Sequence, residues 1–147
     1  MVQTMHLVTS VGIGVIGLAL SLSAGAIAAD VVAVVSSKSS VTALRANQIS
    51  DIFLGKSNRF PGGSQAVPID LAEGSAARDE FYLKIAGKSP AQMKAHWSKI
   101  IFTGRGQPPR EVANSVEMKK FIVQNPDTIG YIEQSFVDGT VKVLLAQ

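Results

Sequence analysis

The sequence predicts an α/β domain in which helices flank a mixed β-sheet. Apolar and β-branched runs of strand length occur at residues 30–36, Val67–Leu71 and Thr128–Glu133. The segments between them are longer, and their apolar residues recur with helical spacing between capping residues. Because strands and helices interleave along the chain, both kinds of element are expected to share one core.

The first 29 residues differ in composition from the rest of the chain. They contain no Lys, Arg, Asp or Glu, residues 7–22 are almost wholly apolar, and small residues precede Asp30. This pattern predicts a signal peptide at residues 1–29, cleaved after Ala28 or Ala29, and a periplasmic domain at residues 30–147. The alternative is a retained membrane anchor, since the uncharged stretch is long enough to span a bilayer.

Charge and cysteine content narrow the function classes. All 14 basic and 11 acidic residues lie after residue 29, and the net charge is +3. This mild, dispersed excess is compatible with a small anionic ligand and argues against a nucleic-acid partner. The chain has no Cys, so neither disulfides nor a lipid-bearing cysteine are expected.

The central stretch is a strand followed by a capped helix. Val67–Leu71 predicts the strand, Gly74 breaks it, and Ser75 is expected to cap a helix that begins at Ala76 and ends at Gly87. A Gly-Ser turn at a helix N-terminus directs free backbone N–H groups toward one point and favours an anion.

Two interpretations of this turn remain open. In the first, the Ser75 hydroxyl and the Arg78 charge join the backbone donors and bind an anion. In the second, the segment is an ordinary capped helix whose Arg78 is solvated or paired with a neighbouring acid.

The other elements follow from periodicity and breaking residues. The predicted elements are a strand at 30–36, short helices within 42–54, an exposed turn at 56–65, a helix from Pro90 to about Ile101, a loop at 102–109, a helix at 116–123, a strand at Thr128–Glu133 and a last strand at 141–145. The predicted core consists of Val32, Val34, Ile52, Phe53, Ile69, Phe81, Ile85, Trp97, Ile101, Phe121, Ile129 and Tyr131.

The sequence contains no pattern typical of an enzyme or a metal site. His96 has no Cys partners and is expected on a helix surface. Asp70 and Glu73 lie three residues apart, but such a pair is more often solvated or structural than catalytic. We therefore predict no enzymatic activity and no cofactor.

Five segments together resemble the phosphate-binding proteins of ABC importers, in the type-2 periplasmic binding protein superfamily. They are I-S-D-I-F-L-G-K at 49–56, F-P-G-G at 60–63, A-E-G-S-A-A-R-D-E-F at 72–81, W-S-K-I-I-F-T-G-R-G at 97–106 and N-P-D-T-I-G-Y-I at 125–132. The chain is similar to the small stand-alone members of this family. The resemblance implies a single lobe of the type-2 fold.

The resemblance also implies a ligand site. In full-length relatives an acid followed by Gly-Ser-Gly-Thr grips phosphate, and an arginine lies just before it. Here Glu73, Gly74 and Ser75 match the acid, glycine and serine, whereas Ala-Ala replaces Gly-Thr and Leu71 stands in place of the arginine. Arg78, one helical turn further on, is our candidate to replace that charge.

Two functional hypotheses follow. The first is a periplasmic solute-binding-like protein that recognises phosphate or a similar oxyanion through Glu73, Gly74, Ser75 and Arg78, with a membrane transporter as its partner. The second is a periplasmic interaction module that keeps the fold, has lost the ligand, and docks onto a membrane or envelope protein.

Overall fold

A computed structural model describes residues 30–144, which form an α/β domain with a mixed sheet. The strands are β1 (Val31–Ser36), β2 (Val67–Leu71), β3 (Arg110–Val112), β4 (Thr128–Glu133) and β5 (Val141–Val143). The helices are α1 (Ala46–Phe53), α2 (Ala76–Ala86), α3 (Pro90–Phe102) and α4 (Ser115–Gln124), and a 3-10 turn spans Gln134–Phe136. The predicted signal peptide at 1–29 and Leu145 of the predicted last strand lie outside the described residues.

The sheet order is β3-β2-β4-β1-β5. Strand β2 pairs in parallel with β3 and β4, whereas β1 pairs antiparallel with β4 and β5. The prediction of a mixed sheet is therefore confirmed.

The helices cover both faces of the sheet, as adjacent residues of β4 demonstrate. The Tyr131 ring stacks on Phe81 of α2, with centroids 3.9 Å apart. At Gly130 an added Cβ would lie 2.5 Å from Met118 Sδ and 2.6 Å from Ile122 Cδ1, both on α4. Because successive residues of a strand point to opposite faces, α2 and α4 lie on opposite sides of the sheet.

The helix boundaries follow from local chemistry. Ser75, Ser89 and Asn114 each accept a hydrogen bond from a backbone N–H in the first turn of the helix they precede. Gly87 ends α2 with a φ of 62°, a left-handed conformation that glycine adopts without steric cost. The caps predicted at Ser75 and Gly87 are thereby confirmed.

The core differs from the prediction at its edges. Most of the predicted core residues are buried, but Val32, Ile85 and Phe121 are only half-buried. Ile101 is 50% exposed, and its assignment to the core was wrong. Trp97 is on the buried side of α3, and Ile101, four residues later, is about 40° further around the helix, beyond the packed stripe.

Two strand predictions also need correction. Strand β3 begins just after the predicted 102–109 loop and was not predicted, because three largely exposed residues carry too little alternation to indicate a strand. Strand β5 ends at Val143, and Leu144 of the predicted last strand lies beyond it. Within residues 30–144, no helix has the length and apolar character needed to cross a membrane.

Candidate functional site

The turn between β2 and α2 has the predicted geometry. Ser75 is the N-cap, and its Oγ accepts a hydrogen bond from the Arg78 N–H at 3.4 Å. The N–H groups of Ala76 and Ala77 occupy the first two helical positions, where no helical acceptor is available. Two backbone donors at the positive end of the helix are therefore available to an anion.

Glu73 lies on the solvent side of this turn. Its carboxylate is exposed and lies 3.9 Å from Lys94 Nζ of α3. Exposed pairs of this kind contribute little to stability, so Glu73 is not fixed by its neighbour. The structure thus places Glu73, Gly74 and Ser75 together at one exposed turn, as the sequence predicted.

Arg78 points in the other direction, toward the sheet. The residue is 8% exposed, and its Nε donates to Asp70 Oδ2 at 3.3 Å. Sequence analysis had left two interpretations open for Arg78, and the observed contact is the pairing with an acid. Asp70 fixes the guanidinium through Nε, and within residues 30–144 Asp70 is the only acid with which Arg78 forms a salt bridge.

Asp70 is the centre of a buried polar network. Its Oδ1 accepts hydrogen bonds from the Tyr131 hydroxyl and from the Leu71 N–H at 2.9 Å. Its Oδ2 accepts from the Tyr82 hydroxyl at 2.7 Å and from Arg78 Nε. Four donors on two oxygens satisfy a carboxylate that is only 1% exposed.

The network shifts the acidities of its members. Burial raises the pKa of Tyr82 and Tyr131 above the ordinary value of 10.0, and the Asp70 charge raises both further. Burial by itself would lower the pKa of Arg78, but the attraction and hydrogen bond of Asp70, together with the effect of the two tyrosines, outweigh it, and the pKa is raised. Arg78 is therefore charged at neutral pH, and both phenols are neutral.

The raised tyrosine pKa values predict a loss of stability at alkaline pH. The stability that is lost at alkaline pH is fully present below about pH 10, which is the pKa of tyrosine in an unfolded chain. Above that pH the unfolded chain releases phenolic protons that the folded chain retains, so the free energy of unfolding falls by about 1.4 kcal/mol per pH unit for each tyrosine. Between pH 9 and 11, the free energy of unfolding measured by urea denaturation should therefore fall less steeply with pH in Tyr82→Phe than in wild type. An equally steep fall in both proteins would contradict the raised tyrosine pKa values.

The roles of Asp70 and Tyr82 were not predicted from the sequence. An acid inside the apolar run V-P-I-D-L was an available indication, because a buried carboxylate requires donors nearby. His96 was expected on a helix surface, but it is half-buried, and its Nε2–H donates to the Leu54 carbonyl oxygen at 2.8 Å. Within residues 30–144, no group of three His, Asp or Glu side chains is placed to hold a metal ion.

Comparisons with known proteins show the fold. No protein-family model matches the sequence, and neither does any curated protein. The chain is similar to a solved structure from Clostridium perfringens that is assigned as a phosphate ABC transporter substrate-binding protein with bound phosphate (TM-score 0.59, 25% identity, 78% of this chain, 44% of that one). It is also similar to an ABC-type phosphate transport receptor from Vibrio cholerae (TM-score 0.60, 19% identity, 78% of this chain, 44% of that one). A third similar structure is PstS from Borrelia burgdorferi (TM-score 0.55, 15% identity, 80% of this chain, 47% of that one).

The predicted resemblance to phosphate ABC transporter substrate-binding proteins is thus confirmed for the fold. The chain has the α/β architecture of a single lobe, and it spans less than half the length of the solved proteins it matches. Of these proteins, one was solved with bound phosphate and another is a phosphate transport receptor.

Proposed function

We propose that this chain is a periplasmic, single-lobe binding protein that recognises phosphate or a similar oxyanion at the N-terminus of α2. The observation that carries the proposal is the turn itself, where the Ser75 hydroxyl and the amides of Ala76 and Ala77 lie beside an arginine that Asp70 holds in place. The similarity to a protein solved with bound phosphate supports the same ligand class.

Each residue has a distinct role in this proposal. The amides of Ala76 and Ala77 bind the anion oxygens, and the helix dipole favours the negative charge. Arg78, which Asp70 holds against the sheet, donates its N–H to the Ser75 cap and so fixes the turn beside these amides. Glu73 accepts a hydrogen from a protonated oxyanion, which favours hydrogen phosphate over sulfate.

One lobe cannot enclose a ligand by itself. Binding sites for small molecules usually bury most of the ligand surface, and the proteins that this chain resembles are more than twice its length. We therefore place the partner across the exposed turn, as a membrane transporter, an envelope protein or a second copy of this chain.

Removing one amide donor tests the site without disturbing the helix. Ala76 is exposed at the first helical position, where proline is well tolerated, and Ser75 already has the extended φ of −67° and ψ of 128° that a following proline requires. Ala76→Pro should weaken phosphate binding by about 1.5–3 kcal/mol, roughly ten- to a hundredfold, in calorimetric titration. Ala76→Ser keeps the N–H and should bind like wild type.

A second comparison tests the acid. Glu73→Gln should weaken hydrogen phosphate and strengthen sulfate, because it replaces a negative charge with a group that can donate. Equal affinities of Ala76→Pro and Ala76→Ser, or no binding by wild type, would contradict the proposed site.

The second candidate is the interaction module, and the surface at the end of α3 favours it. Phe102 is 93% exposed and Ile101 beside it is 50% exposed, an apolar pair of the kind that interfaces bury. Under this alternative Arg78 and Asp70 serve stability alone, and the α2 turn binds no anion.

A further inference from the structure

A cavity of about 350 Å³ lies between the ends of α1 and α3, away from the α2 turn. One wall is Leu54, Gly55 and Lys56, which follow α1, and the other is the second half of α3 with the loop after it. Its volume falls in the range of sites that bind small organic molecules. Two of the segments that carry the family resemblance, I-F-L-G-K and W-S-K-I-I-F-T-G-R-G, therefore meet at this cavity.

The cavity lining is strongly cationic. Lys56, Lys99 and Arg105 line it together with His96, and no acidic residue does. Three of the chain's 14 basic residues and none of its 11 acidic residues thus lie here, which leaves 11 of each elsewhere. Within residues 30–144, none of these three side chains forms a salt bridge.

The negative ends of two helix dipoles neutralise only part of this positive charge. The C-termini of α1 and α3 both face the cavity, and each carries at most about half a negative charge. Two helix ends therefore balance roughly one of the three cations. About two positive charges remain, and they match a dianion.

Backbone hydrogen bonds fix the conformation of the loops that carry Lys56 and Arg105. The Lys56 N–H donates to the Asp51 carbonyl at 2.8 Å, and the Arg105 N–H donates to the Ile100 carbonyl at 3.1 Å. Both loops are thereby turned back onto the ends of their helices, beside the cavity. His96 links the two walls through its hydrogen bond to the Leu54 carbonyl oxygen.

The cavity also has an apolar wall. Trp97 is 7% exposed, and Leu54 and Ile100 lie beside it in the lining. The indole Nε1–H is buried and has no acceptor among residues 30–144. A second cavity of about 300 Å³ shares Gly55, Trp97 and Gln107 with the first and adds Arg110 to the cations.

The two sites lie at opposite ends of the parallel strands. The α2 turn follows Leu71, the last residue of β2, whereas the second cavity is lined by Val67 and Pro68 at the start of β2 and by Arg110 at the start of β3. The residues Glu73, Gly74, Ser75 and Arg78 line neither cavity.

We propose that the cavity between α1 and α3 is a second anion site, which takes a small organic dianion with an apolar group, such as a phosphomonoester. Lys56, Lys99 and Arg105 bind the charged group, and the Trp97 indole and Ile100 contact the apolar group. The proposal is independent of the α2 site, because it shares no residue with it.

Trp97 is the single tryptophan of the chain, so its fluorescence reports on this cavity directly. Phenyl phosphate is the probe because it joins a dianion to an aromatic ring. We expect it to change Trp97 fluorescence with saturation, and we expect phenol at the same concentrations to give no saturable change. Lys99→Gln/Arg105→Gln should raise the phenyl phosphate Kd by at least about tenfold, since each side chain supplies a charge-assisted contact.

The control is Lys120→Gln, which removes one positive charge from an exposed site on α4, outside the cavity. This variant should titrate like wild type in Trp97 fluorescence, which reports on this cavity and not on the α2 turn. The proposal is overturned if wild type gives no saturable change in Trp97 fluorescence with phenyl phosphate up to about 10 mM, a concentration at which even weak binding would be detected. It is equally overturned if the double variant and Lys120→Gln have the same Kd.

Discussion

Asp70→Asn should lower the free energy of unfolding by about 3–5 kcal/mol, because it leaves the buried Arg78 guanidinium without its counter-charge. The Asp70 carboxylate is 1% exposed and accepts four hydrogen bonds, two of them from tyrosine hydroxyls. An amide in its place has one accepting oxygen, and its NH₂ group faces donors. Both the lost charge and the mismatched donors lower the free energy of unfolding.

Urea denaturation of Asp70→Asn beside Asp127→Asn measures this effect. Asp127 is exposed in the turn before β4, so its change should stay within about 0.5 kcal/mol. The double variant Asp70→Asn/Arg78→Met should recover part of the loss, because the unpaired charge is then removed as well. A loss below about 1 kcal/mol for Asp70→Asn, with no coupling to Arg78, would contradict the buried ion pair.

Local signals were enough to predict the architecture. Ser75, Ser89 and Gly87 act within one turn of the helices that they bound, so their roles can be read from neighbouring residues. The β-branched run at the start of the domain likewise predicts a strand buried on both faces. Strand β3 escaped prediction because its pairing with β2 depends on tertiary contacts rather than on its own pattern.

The candidate site was predicted only in its local part. The turn from Glu73 to Ser75 is contiguous in sequence, and the structure forms it as expected. The contact between Tyr131 and Asp70 joins residues 61 positions apart, and no periodicity indicates such a pair. The direction of Arg78 was left open for the same reason, since the sequence does not say which acid is nearest.

The cationic cavity illustrates the same limit in another way. Lys56 is in a turn that was predicted as exposed, Arg105 is in a predicted loop, and Trp97 was predicted as core. Each prediction is correct for its own residue, because the lysine and arginine are exposed and the tryptophan is buried. The cavity arises only where the α1 and α3 ends meet, which the sequence does not specify.

Phe81→Ala is expected to be the most damaging truncation in the core, with a loss of about 3–5 kcal/mol. The Phe81 ring is fully buried, stacks on Tyr131 with an interplanar angle of 6°, and meets the Phe53 ring edge at 4.8 Å between centroids. Its removal leaves a cavity in the layer between α2 and the sheet, directly beside the residue whose hydroxyl donates to Asp70.

This position implies that the core and the polar network are coupled. Without Phe81 the Tyr131 ring loses the stacked ring that fixes its orientation, so its hydrogen bond to Asp70 should weaken too. The free energies lost in Phe81→Ala and Tyr131→Phe, measured by urea denaturation, should therefore not add in the double variant. Phe102→Ala is the matched control, because that ring is 93% exposed and its loss should stay within about 0.5 kcal/mol. Additive losses would mean that Phe81 stabilises the core alone, and a loss under about 1 kcal/mol for Phe81→Ala would contradict its place at the centre of that core.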